Sequence, residues 1–205
     1  MPVLAATLGP DNERTLLEAI PRDRQAFTQL YNHYFPRLYA YFCYRVGRVQ
    51  DAEDLVSEAF LKAVEGLAAG RFEWRHEGSF AGWLFRIAYN CLADHHRRKG
   101  APGEPLDLDE LPPILLLQAD SLPEDAVLRK EEFAQLHRFL LTLSPRRQEI
   151  ITLKFFGGLH NSKIAKVLGL DERTVASHLC RGLDDLHRKY LQETANAADK
   201  RDKPS

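Results

Sequence analysis

The run IAKVLGLDERTVASHL, residues 164–179, constrains this chain more than any other stretch. Ile164, Ala165 and Leu168 recur at helical spacing. After a short gap, Val175, Leu179, Leu183 and Leu186 do the same. Gly169 sits in the gap, where a tight turn needs positive φ, and Asp171 is placed to cap the second helix. Small Ala165 lets the two helices cross closely. The pattern predicts a helix-turn-helix, whose second helix lies in a major groove with its outer face toward the bases. At helical spacing that face is Arg173, Thr174, Ser177, His178 and Arg181. All five can hydrogen-bond to bases or phosphates. Asp184 and Asp185 follow and would repel phosphate, so the DNA contact belongs to the first turns of the helix. A helical hairpin packed on something else would show the same apolar spacing. The motif equally suits a repressor or a response-regulator effector domain.

The rest of the chain is also helical in period, and no alternating run is long enough for a strand. A short amphipathic piece near 12–20 precedes Pro21. Phe27, Leu30, Tyr31 and Tyr34 then share a helical face. Pro36 predicts the start of a further helix, with Leu38, Tyr41, Phe42 and Val46 inward and Gly47 at its end. Asp51 is the expected N-cap of AEDLVSEAFLKAVEGL, with Leu55, Val56, Ala59, Phe60, Ala63, Val64 and Leu67 inward. A loop over 68–79 leads into GSFAGWLFRIAYNCLADHHRRK, a helix near 79–98 rich in aromatics and ending in a basic run. Leu84, Ile87 and Ala88 are its core residues. Farther on, residues 123–143 predict a helix carrying Val127, Leu128, Phe133, Leu136, Leu140 and Leu141. Ser144-Pro145 opens another, closed by Gly157-Gly158.

Charge divides the chain. The total is −1. Residues 22–100 carry +3 and residues 129–205 carry +5, while residues 101–128 carry −7 with no Lys or Arg. Two basic blocks around an acidic segment favour a polyanionic partner. The acidic segment holds Pro102, Pro105, Pro112, Pro113 and Pro123, a density that opposes helix and marks a linker. Its ILLLQ run, 114–118, is too apolar for a solvated tether and docks either on its own domain or on a partner. Cys43, Cys91 and Cys180 are far apart and expected to be free thiols. Cys91 with His95 and His96 makes a poor zinc site, since three ligands on one helix end lack a fourth partner. No metal, cofactor, paired-carboxylate or nucleophile constellation is expected, and the chain is not expected to be an enzyme. The start MPVLAATLGP lacks a basic n-region, and no apolar run approaches the roughly 20 residues of a membrane span. A cytoplasmic protein is expected.

DAEDLVSEAFLKAVE followed by GSFAGWLFRIAYNCLADHHRRK resembles region 2 of a bacterial sigma factor. LSPRRQEIITLKFFGGLHNSKIAKVLGLDERTVASHLCRGLDDL resembles region 4. Two such regions with a short linker resemble the extracytoplasmic-function (group IV) sigma factors of the sigma-70 family. The implied fold is all-α. An N-terminal segment (1–21) precedes region 2 (22–100). An acidic linker (101–122) joins it to region 4 (123–192), and a disordered tail (193–205) follows.

The resemblance implies a transcription initiation subunit. It would bind core RNA polymerase, read a −35 element through region 4, and read and melt a −10 element through region 2. Asp51, Glu53, Asp54, Ser57, Glu58 and Lys62 match the family's polymerase-binding face; the same charges also suit a solvated helix surface. Ser79, Phe80, Trp83, Asn90, Asp94, Arg97 and Arg98 match the −10 face, with Arg97, Arg98 and Lys99 placed to clamp phosphates. Trp83 is divided between packing and DNA contact. The acidic linker would mimic nucleic acid against basic polymerase walls, or act as a solubilising tether. A cognate anti-sigma protein is a further implied partner. His178 stands where the family commonly has Arg, and Leu183-Asp184-Asp185 where it commonly has basic residues, which implies an altered −35 contact. The rival is a stand-alone helix-turn-helix regulator that binds duplex DNA without polymerase.

Overall fold

A computed structural model describes residues 10–46, 48–76, 78–99 and 135–201, with side chains between 12 and 193. The described residues are helical with no strand. Helix α1 spans Pro10–Ala19, α2 Arg24–Cys43, α3 Val49–Ala68 and α4 Ser79–Lys99. Residues 135–141 form α5. Helices α6 (Pro145–Phe155), α7 (Asn161–Leu168) and α8 (Glu172–Arg201) complete the chain. The linker, its ILLLQ run and the expected helical positions Val127, Leu128 and Phe133 lie outside the described residues.

Pro36 does not start a helix but sits inside α2, which runs unbroken to Cys43. An internal proline costs about 3 kcal/mol. Burial on both sides of it offsets that cost. Leu30 and Tyr34 before it, and Leu38, Tyr41 and Phe42 after it, enter one core. Asp23 caps α2, accepting from the Gln25 amide at 2.8 Å. Helix α3 begins at Val49 with Arg48 as N-cap, so Asp51 lies in its first turn and is not its cap.

Two glycines explain which apolar residues miss the core. Gly66 is buried on the inner face of α3, and a Cβ there would meet the Trp83 ring at 2.7 Å. The contact line therefore runs through Gly66, and Val64 is left exposed. In α8 the line runs through Val175, Leu179 and Gly182, where a Cβ would lie 2.8 Å from Ile151 Cδ1. Leu183, expected inward, is exposed. Leu136 in α5 is exposed as well, while Leu140 is buried.

The two halves share one core. The buried cluster runs from Leu30, Tyr41 and Phe85 to Ile150, Leu153, Ile164 and Val175 without interruption. Tyr44 stacks on Phe156 with ring centroids 4.2 Å apart. Arg37 donates to the Gly157 carbonyl while lying over the Tyr34 ring, 4.9 Å from its centroid. Tyr41 donates to Glu149 Oε1 at 2.5 Å, and Arg45 pairs with Glu149 Oε2 at 3.1 Å. Among the described residues no helix is long and apolar enough to cross a membrane.

Candidate nucleic-acid interface

Helix α7 ends at Gly169, whose φ of +65° makes the turn that the sequence requires. Its amide bonds back to Ala165, and Leu170 N also donates to the Ala165 carbonyl at 2.9 Å. Asp171 then opens α8 by accepting from the Thr174 amide at 2.7 Å and its hydroxyl at 2.6 Å. Those bonds hold the Asp171 carboxyl below its usual range. Ile164, Ala165, Leu168 and Val175 are buried between the helices. The helix-turn-helix geometry is therefore present.

Arg173, Ser177 and Arg181 stand exposed on the outer side of α8, with Thr174 and His178 half-buried beside them. The Thr174 hydroxyl donates to Asp171, which leaves its oxygen as an acceptor and its methyl as an apolar contact. Asp185 does more than repel phosphate. It pairs with both Arg147 and Arg188, tying α8 to α6. Helix α8 continues to Arg201, past residue 192 where region 4 was expected to end.

In the first half, α4 presents Asn90, Arg97 and Arg98 to solvent, with Asp94 half-buried. Arg97 pairs with Asp94 at 2.5 Å. Phe80 departs from expectation: it is 1% exposed and packs edge-on against Tyr34 and Phe72. Its ring lies under the surface, because it faces the same core as Leu84 and Ala88 one and two turns on. Trp83 lies over it, half-buried, with ring centroids 5.7 Å apart. Trp83 also touches Phe72 at 5.2 Å and covers Gly66. It thus packs against the domain and still lines a surface cleft with Ser79, Gly82 and Arg86. Both expected roles of Trp83 are open to it sterically. Phe80 supports it from below.

The expected polymerase face and the basic end of α4 meet. Lys99 bonds both Asp51 carboxylate oxygens at 2.7 Å, and Arg98 lies 3.6 Å from Glu58. Lys62 bonds Glu58 at 2.6 Å and lies 3.6 Å from Cys91 Sγ. Glu53, Asp54 and Ser57 remain exposed along the other side of α3. His95 lies 3.9 Å from Asp51, and burial lowers its pKa below the usual value. Cys91 is fully buried, and burial raises its thiol pKa.

Sequence reasoning missed the network of Tyr41, Arg45 and Glu149. The one available signal was a lone glutamate beside the apolar positions of RRQEIITL. It also missed the basic residues Arg71, Arg75, Arg86, Lys163 and Lys166, which lie far apart in the chain and line one cleft.

Family comparison agrees with this geometry. Residues 30–101 match sigma-70 region 2, and residues 133–186 match sigma-70 region 4. The chain is 34% identical over 171 residues to the ECF RNA polymerase sigma factor BldN of Streptomyces coelicolor, a match covering 81% of this chain and 61% of that relative. It is 32% identical over 178 residues to the ECF RNA polymerase sigma factor SigW of Bacillus subtilis, covering 83% of this chain and 91% of that one. Two solved structures share the fold. CnrH in complex with the cytosolic domain of CnrY superposes with a TM-score of 0.64 at 23% identity, covering 89% of this chain and 99% of that chain. The sigma factor RpoE of Bartonella quintana, in complex with the anti-sigma factor NepR, gives 0.61 at 22% identity, covering 79% and 94%. With a region 2 helix set, a region 4 helix-turn-helix, and kinship to SigW over nearly its whole length, the chain belongs to the ECF RNA polymerase sigma factors of the sigma-70 family.

Proposed function

We propose that this chain binds core RNA polymerase and directs promoter recognition, melting and transcription initiation. It acts as a binding subunit and not as an enzyme by itself, in the cytoplasm, where the polymerase works. The observation that carries the assignment is the pairing on one chain of two different nucleic-acid faces. The first turns of α8 suit a duplex. The α4 face, with Trp83 near a polar stripe and a basic end, suits separated strands. Bases that have left the duplex gain about 1–3 kcal/mol each from stacking on an aromatic ring, and their phosphates gain from Arg97, Arg98 and Lys99. Arg173, Thr174, Ser177, His178 and Arg181 read the −35 duplex. Ser79, Trp83, Asn90, Asp94, Arg97 and Arg98 follow the −10 strand, with Phe80 as the support beneath. The exposed side of α3, with Glu53, Asp54 and Ser57, meets the polymerase, and Asp51, Glu58 and Lys62 join it once released from α4.

The assignment has a mechanical consequence. Elements at −35 and −10 are separated by about 25 base pairs, or roughly 85 Å of duplex at about 3.4 Å per pair. The α4 and α7 helices are in direct contact: a Cβ on Gly82 would lie 3.5 Å from the Lys163 side chain, and Arg86 donates to the Lys166 carbonyl at 3.4 Å. Simultaneous use of both elements therefore requires the halves to part, breaking the Tyr41–Glu149–Arg45 network. Polymerase binding is the step that drives the parting. An anti-sigma protein that favours the packed halves would oppose it.

Permanganate mapping tests the melting role. With core polymerase and this chain on a responsive promoter, thymines near −10 become reactive. Arg97→Ala/Arg98→Ala reduces that reactivity several-fold at low salt, and the gap to the parent narrows as salt rises, because fewer phosphate contacts flatten the salt dependence. Unchanged reactivity in the double variant at every salt concentration would remove these residues from the strand path.

A further inference from the structure

A cleft of about 430 Å³ opens where the α3–α4 loop, the start of α4 and helix α7 converge. Its charge is one-sided. Arg71, Arg75 and Arg86 enter from the first half, and Lys163 and Lys166 from the second. Among the described residues that line it, Glu73 is the one carboxylate, and it is occupied by Arg75 at 3.1 Å. Lys163 Nζ lies within hydrogen-bond range of the His76 ring, 3.0 Å from its nitrogens, which ties the α3–α4 loop to α7. Burial, with Lys166 nearby, pulls the Lys163 pKa below its usual value. Ser79 also lines the cleft, and its buried hydroxyl has no hydrogen-bond partner among the described residues. It stands at the N-terminus of a helix of 21 residues that has no acid in its first turn.

Like charges held together across a joint repel unless an anion sits between them. A single phosphate would satisfy only part of this set. A chain of linked phosphates offers several negatively charged oxygens and can span both walls. We propose that this cleft binds a free polyphosphate anion, of the pyrophosphate or tripolyphosphate class, which bridges the two halves and stabilises their packed arrangement. The composite nature of the site selects this ligand over a promoter strand. Lys163 and Lys166 leave with the second half when the halves part, so the full set of cations exists only in the packed form. The phosphate backbone of a promoter strand carries related chemistry, but it is engaged after parting. The proposal concerns the isolated chain and does not depend on its role at a promoter.

The test is calorimetric titration and thermal melting of the full chain with sodium tripolyphosphate, against sodium chloride of equal ionic strength. Saturable binding is expected, with a melting temperature that rises with tripolyphosphate beyond the chloride control. Lys163→Gln/Lys166→Gln is expected to weaken binding by about tenfold or more and to remove the thermal gain. Arg75→Gln, on the exposed loop, gives the same readout if the double variant does not fold. No gain over chloride, or an equal gain in the variants, overturns the proposal. A single-stranded DNA oligomer that binds as tightly as tripolyphosphate, and weakens equally in the double variant, also overturns it by making the cleft a strand site.

Discussion

Arg45 and Glu149, more than a hundred positions apart, form a 3.1 Å ion pair in which both side chains are under a tenth exposed. Tyr41 donates to the other Glu149 oxygen at 2.5 Å, and Gln148 accepts from Arg45 at 2.5 Å. The carboxylate is thus satisfied on both oxygens inside the seam between the two halves, while the guanidinium uses its two terminal nitrogens and leaves its buried Nε without a hydrogen-bond partner among the described residues. Burial, with Glu149 second, pushes the Tyr41 pKa well above its usual value, so the phenol stays a donor.

Removing one partner leaves the other charge buried and alone. Glu149→Ala is expected to destabilise the chain by about 3–5 kcal/mol, read as a lower denaturant midpoint. Arg45→Met/Glu149→Leu is expected to recover most of that loss, since two apolar side chains leave no buried charge unpaired. A single variant as stable as the parent would show that the seam is wet or open in solution.

Arg181 stands exposed two turns beyond Arg173 on the outer side of α8. Arg181→Ala is expected to weaken −35-dependent initiation, by about tenfold if it makes a base contact worth about 1–3 kcal/mol. Run-off transcription on promoters with intact and scrambled −35 sequences checks this. Activity equal to the parent on every promoter would show the recognition face to be misassigned.

His137 on α5 is 3% exposed, with the Tyr44 ring 5.9 Å away. Burial lowers its pKa from the ordinary 6.5 to about 4. Above pH 6.5 the ring is neutral in both folded and unfolded chains, and it imposes no penalty. As pH falls from 6.5 toward 4, the unfolded chain takes up a proton that the folded chain refuses, and stability declines. The full penalty is about 3 kcal/mol, reached below the folded pKa. Urea unfolding at pH 7 and pH 4.5 should show a smaller drop for His137→Leu than for the parent. Equal drops would mean that the ring is solvated in the folded state.

Much of the fold was legible because helical period survives in a sequence even where partners are unknown. The turn at Gly169 and the cap at Asp171 were readable from residue type alone, since few alternatives satisfy positive φ and a free helix N-terminus. Pro36 misled because local preference at one residue was outweighed by aromatic burial on both sides of it, which depends on helices distant in sequence. Val64 and Leu183 misled for a related reason. An apolar scan ignores glycine, yet Gly66 and Gly182 mark where helices cross most closely. Phe80 was placed on the DNA face because it matches an aromatic of the family's −10 face; three-dimensional packing put its ring beneath that of Trp83. The seam of Arg45 and Glu149 and the basic cleft could not be read, because each joins residues from both halves across the linker.

The central claim is that one chain reads duplex and single-stranded promoter DNA in the service of RNA polymerase. It is tested most directly by mixing purified chain with core polymerase and a promoter library and mapping the transcripts. The account predicts discrete starts that depend on the chain, downstream of shared −35 and −10 sequences. Tight duplex binding without polymerase, with no chain-dependent start when polymerase is added, would contradict it.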